Sequence, residues 1–130
     1  MKKNILFVCI ENSSRSQMAQ AFATMHGAGK VEAFSAGSEP SGKINPKAIE
    51  AMKELGYDLA THRSKSLEEL PDIRFDYVVT MGCGDECPWI PAEHHLDWTI
   101  PDPRDMAMSE FRQVRDLIEA KVIELIKEAG

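Results

Sequence analysis

Apolar residues enter this chain in short unbroken runs and in helical stripes, with polar breaks between them. Ile5 to Val8 is an unbroken run, the pattern of a central strand buried on both faces. From Ser16 onward, Met18, Phe22 and Met25 fall on one face of a helix, with Gly27 as its C′ stop. Val31 to Ala36 reads as a second strand, ended by Gly37. In "NPKAIEAMKELG", Asn45 caps, Pro46 fits the first helical position, Ala48, Met52 and Leu55 form the stripe, and Gly56 terminates. A helical turn is expected around Leu67 to Leu70, and a third strand over Phe75 to Met81. "HLDWTI" alternates Leu96, Trp98 and Ile100 and predicts a fourth strand. Ser109 is placed to cap a long last helix whose inner face carries Phe111, Val114, Leu117, Ile118, Val122 and Leu125.

Strands alternating with helices predict an α/β fold, a parallel sheet with helices on both faces. Ligands of such sheets bind beyond the carboxyl ends of the strands, where strand order reverses. Three unusual segments follow three different strands: "CIENSSR", "GCGDEC" and "PDPRD". A parallel sheet brings all three to one edge, which is stronger evidence for a site than any of them alone.

Bulk properties narrow the partners. The 130 residues are expected to form one domain, 1–130, with no linker or repeat. The formal charge is −6 and the basic residues are scattered, which argues against nucleic acid or an anionic membrane as the main partner. The apolar run after Met-Lys-Lys-Asn is too short for a signal-peptide core or a membrane span. A cytoplasmic protein, a monomer, is the expectation. In a reducing compartment three cysteines are not a structural disulfide framework.

Cys9 ends the first strand, and Arg15 opens the first helix one short loop later. Such a loop leaves backbone N–H groups aimed into a concavity, and the helix dipole adds positive charge there. The loop Ile10, Glu11, Asn12, Ser13, Ser14, Arg15 and Ser16 is therefore expected to bind a tetrahedral oxyanion, with the Arg15 fork matching two of its oxygens. The same field favours thiolate over thiol at Cys9, and Ser16 is placed to donate to the sulfur. A positioned nucleophile would face the central atom of the anion. The loop is not glycine-rich, so Asn12 is the candidate for any left-handed backbone position. The departing oxygen needs a proton, and Asp102, between two prolines, could supply it; Asp105 and Asp97 offer the same chemistry. Cys83 and Cys87 with His94 and His95 match no common zinc spacing, so no metal is expected. His26, near a helix end, is read as an ordinary dipole-interacting histidine.

"VCIENSSRSQMA" resembles the phosphate-binding loop of low-molecular-weight protein tyrosine phosphatases, and still more that of the arsenate reductases sharing their fold. The likeness continues through "SAG" at Ser35 to Gly37, "NPKAIEAMKELGYDL", "FDYVVTMGCGDECP" and "DPRD", essentially the whole chain. The resemblance implies a four-stranded parallel sheet, Cys9 and Arg15 as nucleophile and clamp, and Asp102 as the acid. For a reductase it further implies a thiol relay. Cys83 attacks the Cys9 sulfur and releases arsenite, and Cys87 then attacks Cys83, leaving a Cys83–Cys87 disulfide for an external reductant. The four-residue separation spans about 13 Å extended whereas a disulfide wants Cα atoms about 5.5 Å apart, so the segment must turn. Gly82 and Gly84 make such a turn easy.

The sequence also departs from its relatives. "CGDEC" is shorter than the interval in thioredoxin-coupled members and looks closer to members served by low-molecular-weight thiols or glutaredoxin-like routes. There a mixed disulfide can replace part of the relay, which leaves the role of Cys87 open. No cofactor is expected to be bound; the reductant is thioredoxin, glutaredoxin or a low-molecular-weight thiol. Potassium sites of some relatives correspond to Gln20 and Lys65, which lack the acidic charge, so no ion is expected. Where phosphatases commonly carry an aromatic wall after Asp-Pro, this chain has Arg104, and Glu11 adds negative charge at the loop. The leading reading is an arsenate reductase acting on arsenate, with phosphate as the analogous oxyanion. The alternatives are a small phosphotyrosine phosphatase and a non-catalytic oxyanion-binding module.

Overall fold

The computed structural model describes residues 2–82 and 89–129. Cys83, Gly84 and Cys87, and the turn expected to join the two thiols, lie outside these residues. The elements in chain order are β1 (Lys3–Cys9), α1 (Arg15–His26), β2 (Val31–Gly37), α2 (Pro46–Lys53), β3 (Phe75–Thr80), β4 (Ala92–Asp97) and α3 (Met108–Ala129). Two 3-10 turns, Leu59–Thr61 and Leu67–Glu69, lie between α2 and β3. All strand pairs are parallel, in the order β2-β1-β3-β4. This order reverses between β1 and β3, so the crevice beyond their carboxyl ends is where a ligand belongs.

β1 is central because its run Ile5–Cys9 is buried throughout. Its side chains alternate between two clusters. Ile5, Phe7 and Cys9 pack with Met18 and Phe22 of α1, Met52 of α2 and Phe111, Ile118 and Val122 of α3. Leu6 and Val8 pack with Phe75 and Val78, covered by Leu67 and Leu70. Helical segments thus flank both faces unequally: the three α-helices cover one side and the turn at Leu67 the other. Glu54, at the end of α2, accepts from both Arg112 and Arg115 of α3. That pairing, with Arg112 first, holds the Glu54 carboxyl below its ordinary pKa.

Several local expectations need correction. The fourth strand is Ala92–Asp97, earlier than "HLDWTI" suggested. The Leu96, Trp98, Ile100 alternation does mark inward positions, but the strand ends at Asp97, which accepts from the Thr80 hydroxyl, and the Trp98 amide makes the last bond, to the Thr80 carbonyl. β4 is an edge strand, and Glu93, His94 and His95 stay exposed on it, as suits an edge that must not pair further. Ser109 does not cap α3; the helix has already begun at Met108, and the Ala107 carbonyl accepts from Glu110 and Phe111. Leu117 and Leu55, assigned to inner faces, are 40% and 37% exposed, while Arg115, Ile126 and Ala51 are buried. Gly27 stops α1 at φ −111°, not in a left-handed C′ conformation. A Cβ there would lie 2.4 Å from Val31 Cγ2 and 2.7 Å from the Ala23 carbonyl oxygen, so close packing is what requires glycine.

α2 behaves as its sequence predicts. The Asn45 side chain accepts from the Lys47 amide, Pro46 is the first helical residue, and Gly56 ends the helix at φ +83°. The Gly56 amide donates to Lys53 and that of Tyr57 to Met52, the paired bonds of a Schellman motif. Replacing Asn45 with Ala removes the cap and is expected to cost about 1 kcal/mol; urea unfolding, with the slope unchanged, measures it.

Candidate active site

The loop from Cys9 to Arg15 is held open by bonds that all run outward. The Cys9 carbonyl accepts from Ser38, that of Ile10 from Glu39, that of Glu11 from Ser41, and that of Ser13 from Asn45. The Ser64 hydroxyl also donates to the Glu11 carbonyl, and Gln17 Nε2 to that of Asn12. By contrast, the amides of Glu11, Asn12, Ser13 and Ser14 donate to no acceptor among the described residues. Carbonyls pinned outside leave N–H groups inside, which is the construction of an anion cradle. Asn12 makes the reversal possible: at φ +52° it is the non-glycine residue with positive φ among those described. Gly37 gives the loop room, since a Cβ there would lie 2.5 Å from the Ile10 carbonyl oxygen and 2.9 Å from the Asn12 nitrogen.

The cradle opens into a cavity of about 250 Å³ lined by Cys9, Ile10, Glu11, Ser13, Ser14, Arg15, Glu39, Asp102 and Arg104. Cys9 and Arg15 form its buried floor, 3% and 6% exposed. Arg15 Nη1 donates to the Ile100 carbonyl at 3.1 Å, and Nη2 stands 3.8 Å from Asp102 Oδ2. The other Asp102 oxygen accepts from the Arg104 amide, so the carboxylate is fixed facing the guanidinium. Gly82 completes this corner at φ +82°, because a Cβ on it would come 2.8 Å from Arg15 Nη1. The buried Ser14 hydroxyl has no hydrogen-bond partner among the described residues, leaving a donor for a bound anion.

Behind the cradle runs a chain of hydrogen bonds whose direction follows from its chemistry. Gln17 Oε1 can only accept, so His62 donates from Nδ1 (2.9 Å) and its Nε2 accepts the Tyr57 hydroxyl (2.5 Å). Gln17 Nε2 donates to Asn12 Oδ1 at 2.8 Å, and Asn12 Nδ2 to Ser16 Oγ at 2.8 Å. Ser16 Oγ, which accepts from Asn12, lies 2.9 Å from Cys9 Sγ, and when Cys9 is a thiolate Ser16 is the donor of that bond. With Ser16 as the final donor, this chain supplies a hydrogen bond to the sulfur that favours its thiolate. Burial holds the His62 pKa below the ordinary 6.5, and the Lys65 charge adds to this. Burial also raises that of Tyr57, which keeps the phenol a donor.

Of the expected site residues, Cys9, Ile10, Glu11, Ser13, Ser14, Arg15 and Asp102 converge on the cavity. Asn12 and Ser16 stand behind it as supports rather than in its lining. Asp105 is exposed and Asp97 is engaged at the end of β4, so of the three aspartates it is Asp102 that lines the cavity. Sequence reasoning missed Glu39, Gln17, Tyr57 and His62. The last two come from a loop far downstream whose polar residues carry no periodic signal. A wider groove of about 770 Å³ lies at the amino ends of β3 and β4, between Leu67–Phe75 and Ile90–Glu93; among the described residues its lining holds no cysteine, serine or threonine. No described helix is long and apolar enough to cross a membrane.

This geometry coincides with a family match: residues 4–130 fit the family model described as low molecular weight phosphotyrosine protein phosphatase. The chain belongs to that family. Within it, the chain is 39% identical over 127 residues to the glutaredoxin arsenate reductase of Synechocystis, covering 95% of this chain and 96% of that protein. It is 42% identical over 128 residues to arsenate reductase 1 of Staphylococcus epidermidis, covering 93% of each. A solved arsenate reductase in a phosphate binding state superposes with a TM-score of 0.88 at 37% identity, covering 98% of this chain and 99% of that one. Another solved in an oxidized state gives the same values.

Two expectations follow for this phosphatase-family site. Gly82→Ala forces a side chain against the Arg15 guanidinium. It should weaken protection of Cys9 from alkylation by inorganic phosphate by about tenfold or more, read by mass spectrometry of the Cys9 peptide. The second concerns pH. His62 binds its proton less readily folded than unfolded, so stability is full above about pH 6.5 and falls as pH drops through the lowered folded-state pKa. Urea unfolding between pH 7.5 and 5.5 should show that loss, and His62→Gln should flatten it.

Proposed function

We propose that this protein is an arsenate reductase: a thiol-dependent enzyme that reduces arsenate to arsenite through nucleophilic attack by Cys9 and a thiol–disulfide relay. Oxyanion chemistry is supported by a loop whose carbonyls are bonded outward around a buried Cys9 sulfur 2.9 Å from Ser16 Oγ, and reduction rather than hydrolysis is carried by likeness to reductases. The relatives named arsenate reductase, at about 40% identity over nearly the full length, support it.

The steps follow from the site's chemistry. Arsenate enters the cradle, its oxygens taking the loop amides and the Arg15 fork. Cys9 thiolate forms a bond to arsenic, and an oxygen departs as water after taking a proton from Asp102. Cys83 then attacks the Cys9 sulfur. The sulfur–arsenic bonding pair passes to arsenic, which falls from the +5 to the +3 state and leaves as arsenite. Cys87 attacks Cys83, freeing Cys9 and leaving a Cys83–Cys87 disulfide. An external thiol reductant restores the dithiol: thioredoxin, glutaredoxin or a small thiol. Arsenate or phosphate is the oxyanion partner. Cytoplasmic residence and action as a monomer complete the reading.

A phosphotyrosine phosphatase would share Cys9, Arg15 and Asp102 but needs neither Cys83 nor Cys87. Fully reduced protein given one equivalent of arsenate without external thiol should release arsenite and show a Cys83–Cys87 crosslink by peptide mapping, with Cys9 free. Cys83→Ser should stop that turnover while leaving any aryl phosphate hydrolysis in place. A stable Cys9 adduct with no crosslink in the parent protein would instead assign the resolving step to an outside thiol. Arsenate turnover that survives in Cys83→Ser would overturn the relay.

A further inference from the structure

The cavity lining carries an ion pair that the chemistry above does not use. Arg104 Nη1 donates to Glu11 Oε2, joining residues 93 positions apart. Glu11 belongs to the β1–α1 loop, and its carbonyl is held by both Ser41 and Ser64. Arg104 belongs to the segment after β4, and its amide is bonded to Asp102. Both ends of the strap are therefore anchored in the backbone that builds the site. The exposures fix its level: the Arg104 and Glu11 side chains are 54% and 33% exposed, against 7% for the side chain of Arg15 on the floor. The strap spans the rim.

A pair this exposed contributes little to folding, so stability does not account for it. Electrostatic recruitment does not either. A lone Arg104 at this rim would attract an anion and a lone Glu11 would repel one, but paired they present almost no net charge. What the pair does is occupy space. A free tetraoxo anion has no substituent to pass it. A phosphomonoester seated with its phosphorus against Cys9 must pass its organic group out through the rim, where the strap lies.

We infer that the Glu11–Arg104 pair determines specificity by closure: it admits inorganic oxyanions to Cys9 and excludes phosphomonoesters with a bulky organic group. This rests on reading the cavity as an oxyanion site.

The test needs no turnover. Alkylation of Cys9 by iodoacetamide, read on the Cys9 peptide, is measured against rising inorganic phosphate and, separately, phenyl phosphate. The ratio of the two half-protecting concentrations reports admission. In the parent protein, phosphate should protect at much the lower concentration. In Glu11→Ala/Arg104→Ala, which keeps the net charge, the gap should narrow by about tenfold. In the exchanged pair Glu11→Arg/Arg104→Glu, which can close again, the parental ratio should return to within about twofold.

Equal protection by both ligands in the parent, or an unchanged ratio in the double alanine variant, would overturn the inference. So would an exchanged pair that behaves like the double alanine. If the two single alanine variants move the ratio in opposite directions, charge and not closure is at work, and the inference also falls. Failure of phosphate to protect the parent at all would instead remove the oxyanion reading beneath it.

Discussion

Asn12 carries more of this structure than any other residue of the loop. Its left-handed backbone turns the chain so that the flanking amides face inward, and its side chain fills the space that turn leaves behind. Oδ1 accepts from Gln17 and from the Lys65 amide, while Nδ2 donates to Ser16. One asparagine thus joins the anion cradle to the hydrogen bond on the nucleophile. Glycine would take the same φ at lower strain, but it could not pass a donor to Ser16 or hold Lys65. The conformational cost of a non-glycine residue there is offset by bonds that only the asparagine side chain can make.

The same economy explains how a chain of net charge −6 builds an anion site. The cavity wall carries Glu11, Glu39 and Asp102 against two arginines, a count that taken alone would repel an anion. Geometry reverses it. Asp102 faces Arg15 and Glu11 is engaged by Arg104, so two of the three carboxylates meet their counter-charge before any ligand arrives. The loop amides then act at contact distance from a buried floor, where the dielectric is low and distant surface charge is screened. Local dipoles decide the outcome here, and net charge bears on solubility and long-range approach.

Much of this was legible in the sequence because it depends on local rules. The apolar run of β1, the capping signature of α2, the positions of Cys9 and Arg15, and the left-handed Asn12 all follow from residue type and spacing. The errors have a common origin in tertiary contact. β4 was placed late because its inward alternation continues past the last ladder bond. Leu117 and Leu55 were assigned to buried stripes on periodicity, yet the geometry of α2 against α3 turns Arg115 and Ala51 inward instead. Gly27 looked like a helix stop of the left-handed kind, and only the approach of Val31 reveals its actual constraint. The supports of the site were the least visible. His62 reaches Gln17 across 45 residues of chain, with Tyr57 bonded behind it, and nothing in a linear pattern encodes that meeting.

The family's shared machinery sharpens what separates its chemistries. Cradle, nucleophile, clamp and acid stabilise attack on a tetrahedral centre whether that centre is arsenic or phosphorus, so they cannot by themselves choose between reduction and hydrolysis. Two further choices must be made elsewhere. One is redox: arsenic accepts an electron pair when a second thiol takes the Cys9 sulfur, whereas phosphorus in a phosphoryl–enzyme is released by water, and in the proposed relay Cys83 and Cys87 would supply that electron path. The other is admission, and it belongs to the rim. Arg104 follows the Asp102–Pro103 pair and is bonded to Glu11 of the β1–α1 loop. Residues at the floor therefore define what can be attacked, and residues at the mouth define what arrives to be attacked. Changing chemistry within this fold requires little more than altering the second set and supplying, or withholding, a pair of sulfurs.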